Sequence, residues 1–358
     1  MAKIVDVHSH VYTPSYIALL RTRKEVPFIR TFADIGDRLI ILPGEDESPS
    51  RGRPVGPSYW DINEKLAFMD SHSISTSVIS LANPWLDFLA PAEATEQARL
   101  INGELDQLCS QHAGRLYAFA VLPLSATASA IEAEIQHISS LKHMRGVIMG
   151  TTGLGSGLDD PLLDIVYAAL EKHELPIFLH PHYGLPSAVY GPRADKYGHV
   201  LSLALGFPLE TTIAVTRMYL SGVFDRSKTL QVLLAHSGGT LPFLAGRIES
   251  CLEHDGYLLK EGKLNEEKRA LWDVLRKNIY LDAVIYSEVG LQAAVAASGA
   301  ERIMFGTDHP FFPPLRGEEE WLSARLNRDA IKNAFGSDNT TANNVLGDNA
   351  IRILKLHT

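Results

Sequence analysis

Short runs rich in β-branched and aliphatic residues alternate with helix-like segments along most of the chain. The eight runs are 4–7, 76–81, 116–121, 146–149, 176–179, 230–235, 279–281 and 303–306. Apolar residues at three- and four-residue spacing mark helices between them, for example at 92–112, 128–142, 162–173 and 287–297. Strands that alternate with helices form parallel βαβ units, and eight such units can close into a barrel. The sequence therefore predicts an α/β fold, a single (β/α)8 TIM barrel.

The chain length agrees with one barrel that carries inserted loops. Such barrels take about 250 residues, and insertions extend some of them beyond roughly 400. This chain has 358 residues and no linker-like stretch, so we predict a single domain over 1–358. Two intervals, 11–60 and 183–200, are too long for simple connections and are rich in proline and glycine. Both follow the carboxyl ends of predicted strands, where barrel loops build the active site, and we expect them to cover it.

The charge and composition of the chain favour a folded protein with a small-molecule partner. Lys and Arg total 33 against 42 Asp and Glu, and the net charge of −9 argues against binding nucleic acid or an anionic membrane. No apolar stretch approaches the roughly 18 residues that span a bilayer. Charged residues follow Met1 too closely for a signal peptide. Cys109 and Cys251 lie far apart in sequence, so we expect a cytoplasmic protein with both cysteines inert in its core.

Residues that commonly bind metals stand at the ends of several predicted strands. His8 and His10 lie two positions apart in the first run, so their imidazoles point to the same side. His180 follows the fifth run, His236 the sixth and Asp308 the eighth. Imidazoles and one carboxylate suit zinc or a related divalent ion. We predict that His8, His10, His180 and Asp308 bind the metal, and that His236 is a catalytic or supporting group whose Gly238 and Gly239 let the backbone approach a ligand.

Four segments at these strand ends carry a family resemblance. They are Asp6-Val7-His8-Ser9-His10, Phe178-Leu179-His180-Pro181-His182, His236-Ser237-Gly238-Gly239 and Gly306-Thr307-Asp308-His309-Pro310. In these segments the chain resembles the metal-dependent amidohydrolase superfamily, and more closely its aminocarboxymuconate-semialdehyde decarboxylase family. The resemblance extends over nearly the full length. It implies a barrel with the metal at its mouth and a lyase activity that removes a carboxyl group.

Further segments are more specific than the metal pattern. The stretches 80–85, 182–186, 189–193 and 308–314 are similar to the isoorotate decarboxylase branch of that family, known from fungi. This likeness implies removal of the carboxyl group from 5-carboxyuracil, which gives uracil at the end of thymine salvage. It also implies a homodimer or higher homo-oligomer, in which Arg247 reaches the site of a neighbouring subunit. Arg247 is equally explained as a surface helix residue.

The sequence of the fourth run indicates how many metal ions the site holds. Two-metal members of the superfamily bridge their ions with a carboxylated lysine there, whereas residues 146–151 contain no lysine. One divalent ion per chain is therefore expected. The ligand types named above make Zn²⁺ the expected ion. Deaminases carry a glutamate near the fifth-strand histidine, and residues 181–186 contain no acid. A mononuclear hydrolase or deaminase of a cyclic amide, a decarboxylase of another aromatic carboxylate, and a barrel that keeps metal only for structure remain as alternatives.

Three residues are candidates for contacts to a pyrimidine ring, whose polar edges need hydrogen-bonding partners. Asn83 ends the second run, Arg53 lies in the first insertion, and Phe311 follows Asp308 closely. Alternatively, Asn83 caps a turn, Arg53 is a solvated loop arginine, and Phe311 only packs against its neighbours. Asp308 is also the candidate proton carrier to C5, because a carboxyl beside the metal can exchange a proton with substrate. The residues leave open whether CO2 departs after this protonation or bicarbonate departs after hydroxide attack.

Overall fold

A computed structural model describes residues 3–48, 50–154, 156–262, 268–315 and 320–357 of the chain. Its central sheet has eight parallel strands in sequence order. These are Val5–Val11, Thr76–Leu81, Leu116–Val121, Met144–Gly150, Ile177–His180, Val232–Leu234, Ile279–Asp282 and Ile303–Met304. The sheet closes where the Val7 N–H donates to the Phe305 carbonyl at 3.0 Å and the Asp308 N–H donates to the His8 carbonyl at 2.7 Å. The predicted barrel is confirmed.

The strands form where the apolar runs lie because a barrel strand is covered on both faces. Every residue of the first, second, third and fifth strands is buried, and none of these strands shows an exposed face. The sequences of parallel strands that are covered on both sides are continuous apolar runs. The sixth and eighth strands are shorter than predicted, since the sixth pairs with its neighbours only over Val232–Leu234 and the eighth only over Ile303–Met304.

Helices surround the barrel and connect its strands. The α-helices are Pro14–Thr22, Ile62–Ser71, Pro91–Gln111, Ala128–Ile138, Asp164–Lys172, Phe207–Leu220, Val223–Arg226, Leu241–His254, Gly256–Lys260, Leu271–Lys277, Glu288–Ser298, Leu322–Phe335, Asn339–Asn343 and Asn349–Ile353. The four helices predicted from periodicity are all present. The helix predicted over 128–142 ends earlier, at Ile138, where Ser139 caps it.

The two insertions differ in their internal structure. The first contains an antiparallel sheet of Phe28–Phe32, Gly36–Ile40 and Arg53–Pro54, which its proline and glycine content did not predict. The second consists of short turns that lead through the π-type segment Leu201–Gly206 into the helix at Phe207. Both begin at the carboxyl ends of strands, on the side of the barrel that carries the predicted metal ligands.

The two cysteines lie in different environments. Cys109 is buried, as expected, whereas Cys251 is exposed. The expectation of a core position is wrong for Cys251 because it occupies the outer face of Leu241–His254, whose buried side chains are Leu241, Ala245 and Leu252. Within the described residues, no helix combines the length and apolar character that a membrane crossing requires.

Candidate active site

Three histidines converge inside the barrel mouth, and each has its Nδ1 atom engaged. His8 Nδ1 lies 2.5 Å from Asp282 Oδ2, and His10 Nδ1 lies 3.1 Å from the Ser80 hydroxyl. His180 Nδ1 donates to the main-chain carbonyl of Pro181 at 2.8 Å. A hydrogen bond at Nδ1 fixes the orientation of an imidazole and leaves Nε2 available to a metal.

The opposite nitrogens of these rings form a cluster of atoms without partners. The Nε2 atoms of His8, His10 and His180 and the Oδ1 atom of Asp308 are buried and have no hydrogen-bond partner among the described residues. Asp308 Oδ1 lies 3.2 Å from His8 Nε2 and 3.4 Å from His10 Nε2. Buried polar atoms are almost always paired, so four unpaired atoms facing one another fit a metal site. All four predicted ligands therefore meet at one place.

His236 borders the same cluster from the turn that follows the sixth strand. Its Nε2 lies 3.7 Å from Asp308 Oδ2. The ligand atoms of His8, His180, His236 and Asp308 all lie within 4.8 Å of one another. The geometry thus brings together five candidate groups, and His236 competes with His10 for the fourth ligand position.

Gly239, the second glycine after His236, lies against a neighbouring helix. Gly239 has φ of +65°, and a Cβ there would come within 2.1 Å of the Pro208 carbonyl oxygen. The backbone therefore approaches the helix Phe207–Leu220 at this point, and not a ligand. The expectation that Gly239 makes room for a ligand is wrong, because the space is taken by the neighbouring helix.

Burial and mutual contacts shift the pKa values of the groups at the centre. Burial lowers the pKa of His10 to about 4. Burial also lowers the pKa of His180, and the neighbouring imidazoles of His10 and His236 lower it further, so that it lies well below its usual range. Burial alone would raise the pKa of the Asp308 carboxyl, but His8 and the other imidazoles hold it well below its usual range. Burial would lower the pKa of His8, but the carboxylates of Asp308 and Asp282 raise it to about 10. Neutral imidazoles and an ionised carboxylate are the forms that metal binding requires, so His10, His180 and Asp308 are in those forms and His8 has to lose a proton when a cation binds.

Arg53 faces the mouth from the first insertion. It lies in the strand Arg53–Pro54, paired with Leu39, and its guanidinium carbon is 5.9 Å from the ring centroid of Phe207. The Phe207 ring in turn lies 6.5 Å from the ring of His180. Gly52 makes this strand possible, since it has φ of +85° and a Cβ there would meet the Leu39 carbonyl oxygen at 2.7 Å. Arg53 is therefore a strand residue beside the candidate site.

Asn83 and Phe311 also border the mouth. Asn83 is buried, and its Nδ2 donates to the main-chain carbonyl of His182 at 2.6 Å. The ring of Phe311 lies 5.5 Å from the ring of His10 and 5.6 Å from that of Tyr59. Of the three predicted substrate contacts, Phe311 packs against the ligand His10, whereas Asn83 contacts the loop after the fifth strand and Arg53 lies beside Phe207.

Similarity to known proteins extends over nearly the full length of the chain. The Amidohydrolase family model matches residues 5–356. The chain belongs to this family. The crystal structure of IDCase from Metarhizium anisopliae in apo form is 52% identical, with a TM-score of 0.96, and the match covers 99% of this chain and 97% of that chain.

Curated relatives are more distant from this amidohydrolase. The 2-amino-3-carboxymuconate-6-semialdehyde decarboxylase of Dictyostelium discoideum is 27% identical over 305 residues, which cover 85% of this chain and 79% of the relative. The gamma-resorcylate decarboxylase of Rhizobium sp. is 28% identical over 303 residues, which cover 80% of this chain and 90% of the relative. Both matches extend over most of the barrel.

The amidohydrolase barrel holds a carboxylate that the sequence interpretation missed. Asp282 ends the seventh strand and accepts the main-chain N–H groups of His236 at 3.1 Å and Ser237 at 2.8 Å, besides its contact with His8. The signal was the one used for His180 and Asp308, an ionisable residue directly after an apolar run. Asp282 connects the first strand to the turn that carries His236.

A buried lysine supports the join between the first and eighth strands. Lys65 Nζ donates to the Ser9 hydroxyl at 2.6 Å and lies 2.5 Å from Nδ1 of His309. Asp6 accepts from the Thr307 hydroxyl at 2.6 Å on the same join. These contacts hold Ser9 next to His309, and so they fix the segments that carry His8, His10 and Asp308.

An acid reaches the loop after the fifth strand although the loop itself contains none. Glu210, from the helix Phe207–Leu220, accepts the N–H groups of His182 at 2.8 Å and Gly184 at 2.5 Å, as well as the Thr151 hydroxyl. Both carboxylate oxygens are therefore used to hold the loop. Burial raises the pKa of Glu210 against these hydrogen bonds, so an acid lies beside the loop although the loop sequence contains none.

Proposed function

We propose that the chain is a carboxy-lyase that removes the carboxyl group of 5-carboxyuracil (isoorotate) without oxidation and releases uracil and CO2 in pyrimidine salvage. The observation that carries this proposal is the 52% identity with IDCase, an isoorotate decarboxylase, over 99% of the chain. The curated relatives support the reaction class, because both are named as decarboxylases.

The metal in this proposal is one divalent ion per chain, Zn²⁺. His8, His10, His180 and Asp308 would hold it, since they supply the unpartnered buried atoms. Three imidazoles and a carboxylate favour zinc over calcium or magnesium, which prefer oxygen ligands. When bound, the ion polarises the ring oxygen next to the carboxyl group and holds the carboxylate.

The pyrimidine would lie between Arg53, Asn83 and Phe311. The guanidinium of Arg53 matches the planar geometry of a carboxylate or a ring carbonyl. The Asn83 amide pairs with the polar edge of the ring, whose burial without hydrogen bonds would cost free energy. Phe311 offers an apolar face beside His10.

The chemical step needs a proton at C5. Asp308, which is ionised in the resting site, would take up a solvent proton through His236, whose Nε2 is 3.7 Å from Asp308 Oδ2, and pass it to C5. The bond between C5 and the carboxyl carbon then breaks, and its electron pair restores the ring while CO2 leaves. One proton is consumed, and uracil carries it at C5.

The assembly proposed here is a homodimer or higher homo-oligomer in the cytoplasm. Exposed apolar side chains on the second insertion, on the segment Leu201–Gly206 and on the helices Leu241–His254 and Gly256–Lys260 support association, namely Val189, Val200, Leu205, Phe243 and Tyr257. Arg247 lines a cavity of about 430 Å³ with Leu220 and Leu244, which agrees with a role at a subunit contact. The unpaired Cys109 and Cys251 agree with a reducing compartment.

The test is to incubate the metal-loaded protein with 5-carboxyuracil and to follow uracil by chromatography. Formation of uracil at a rate well above that of the metal-stripped protein supports the proposal. A matched incubation with 2,6-dihydroxybenzoate tests the alternative that the substrate is another aromatic carboxylate. Turnover of that compound without turnover of 5-carboxyuracil would reject the proposed substrate.

A further inference from the structure

A carboxylate outside the reaction described above lies against the loop of the fifth strand. Asp87 Oδ2 is 3.1 Å from Nδ1 of His182, and the Thr152 hydroxyl is 2.9 Å from the same atom. The His182 side chain is only 1% exposed, whereas that of Asp87 is 23% exposed. Nothing in the proposed reaction uses either residue.

The imidazole of His182 is confined on its other sides as well. The Tyr183 ring stacks on it with centroids 3.8 Å apart, and the Trp85 ring lies 4.9 Å away. Its Nε2 is 3.3 Å from the Pro84 carbonyl oxygen. Asp87 and Thr152 therefore complete a cage around the imidazole of His182, and Glu210 holds the main-chain N–H of the same residue.

The main chain of His182 determines how the Asn83 amide is turned. Asn83 Nδ2 donates to the His182 carbonyl at 2.6 Å. A carbonyl oxygen only accepts, so the NH2 group must face it and the orientation of the amide is fixed. Asn83 Oδ1 accepts no hydrogen bond among the described residues and is left as an acceptor for a ligand N–H.

We propose that Asp87 is a positioning residue which, through His182, holds the Asn83 oxygen ready to accept an N–H group of a carboxylated pyrimidine. The inference takes its substrate, 5-carboxyuracil, from the proposed function and rests on that proposal. It predicts that the enzyme selects rings with an N–H at that edge. Asp87 itself does not touch the substrate.

The first test is steady-state kinetics of Asp87→Ala with 5-carboxyuracil. Loss of one well-placed hydrogen bond corresponds to about a tenfold rise in KM, and we expect kcat to change by less than about threefold. The metal content should stay at the wild-type level, and Asp87→Asn should restore most of the KM because an amide can still bond to His182. An unchanged KM in Asp87→Ala would overturn the proposal.

Asp106→Ala provides a matched control. Asp106 makes the same kind of contact, 2.9 Å from Nδ1 of His143, and its side chain is also 23% exposed. It lies on Pro91–Gln111, away from the cluster of ligand atoms. We expect its KM to equal that of the wild type. An equal rise in both variants would show that the effect of Asp87 is general destabilisation.

A double-mutant cycle separates positioning from a merely structural role. If Asp87 acts through the Asn83 amide, Asp87→Ala should have no further effect on KM in an Asn83→Ala background. Additive effects would overturn the proposal. Thr152→Val removes the second partner of His182. If Asp87→Ala fails to fold, a cycle of Thr152→Val with Asn83→Ala is an independent test, and we again expect no further effect on KM in the Asn83→Ala background.

A crystal structure of the Asp87→Ala variant gives a readout that does not depend on turnover. We expect His182 to move and the hydrogen bond from Asn83 Nδ2 to its carbonyl to lengthen or break. An unchanged bond would overturn the positioning role. If the wild type fails to convert 5-carboxyuracil, the proposed function fails, and this structure still decides the role of Asp87.

Discussion

The Nδ1 atom of His8 lies 2.5 Å from a carboxylate oxygen of Asp282, and both side chains are fully buried. The same carboxylate accepts the main-chain N–H groups of His236 and Ser237. One residue at the end of the seventh strand thus orients a candidate ligand on the first strand and the turn after the sixth. Partners of this kind are important for metal affinity because they fix the ring and raise its basicity.

Substitution of Asp282 should weaken metal binding although Asp282 is not a proposed ligand. In Asp282→Asn, the neutral amide is a weaker acceptor for His8, and its NH2 group opposes one of the main-chain N–H groups. Metal affinity should fall by about 10- to 100-fold, as measured by competition with a chelator. Asp106→Asn, which changes an aspartate–histidine pair on an outer helix, serves as the control. Equal affinities in Asp282→Asn and the wild type would contradict the orienting role.

The roles of His10 and His236 can be separated by metal content. His10 Nε2 is a buried atom without a partner in the cluster, whereas His236 Nε2 faces the second oxygen of Asp308. We expect one divalent ion per chain in the wild type by elemental analysis. His10→Ala should lose most of this metal, and His236→Ala should retain it but lose turnover. The reverse pattern would make His236 the fourth ligand, and two tightly bound ions would reject the mononuclear site.

The substrate contacts predict a different pattern of loss. Asn83→Ala and Arg53→Ala should lower kcat/KM for 5-carboxyuracil while metal content stays unchanged, because neither residue touches the ligand atoms. Each lost hydrogen bond to a charged or buried group costs about 1 to 3 kcal/mol. Arg51→Ala is the control, since Arg51 pairs with Asp34 at the protein surface. Normal kinetics in both site variants would show that the ring binds elsewhere.

Much of the site was predictable because strand ends meet at one edge of a barrel. His180, His236 and Asp308 follow apolar runs, and strand periodicity places His8 and His10 on one side. Asp282 satisfied the same rule and was overlooked, since only its 2.5 Å contact with His8 reveals its purpose.

Other features depend on contacts between distant segments and had no sequence signal. The sheet that places Arg53 pairs it with Leu39 across a stretch rich in proline and glycine. Glu210 reaches the loop at His182 from a helix 28 positions later. Such pairings follow from the packed fold, and local propensity does not encode them.

Asp308→Asn separates the ligand role of Asp308 from its role as a proton carrier. The amide oxygen can still coordinate weakly, so excess metal should restore metal content. The amide cannot deliver a proton at neutral pH, and turnover should remain lower by about 10² to 10⁴. Chromatographic assays of the metal-replete variant measure this difference. Near-normal turnover would move the proton-carrier role to His236 or to water.

The most direct measurement is turnover of 5-carboxyuracil by the metal-loaded protein in D2O, followed by proton NMR of the product. We expect uracil with a single deuterium at C5, because a solvent-derived deuteron replaces the departing carboxyl group, and CO2 in equal amount. Metal-stripped protein should give none. Absence of uracil, or a ring-opened or deaminated product, would contradict the central claim that this barrel is a decarboxylase of a carboxylated pyrimidine.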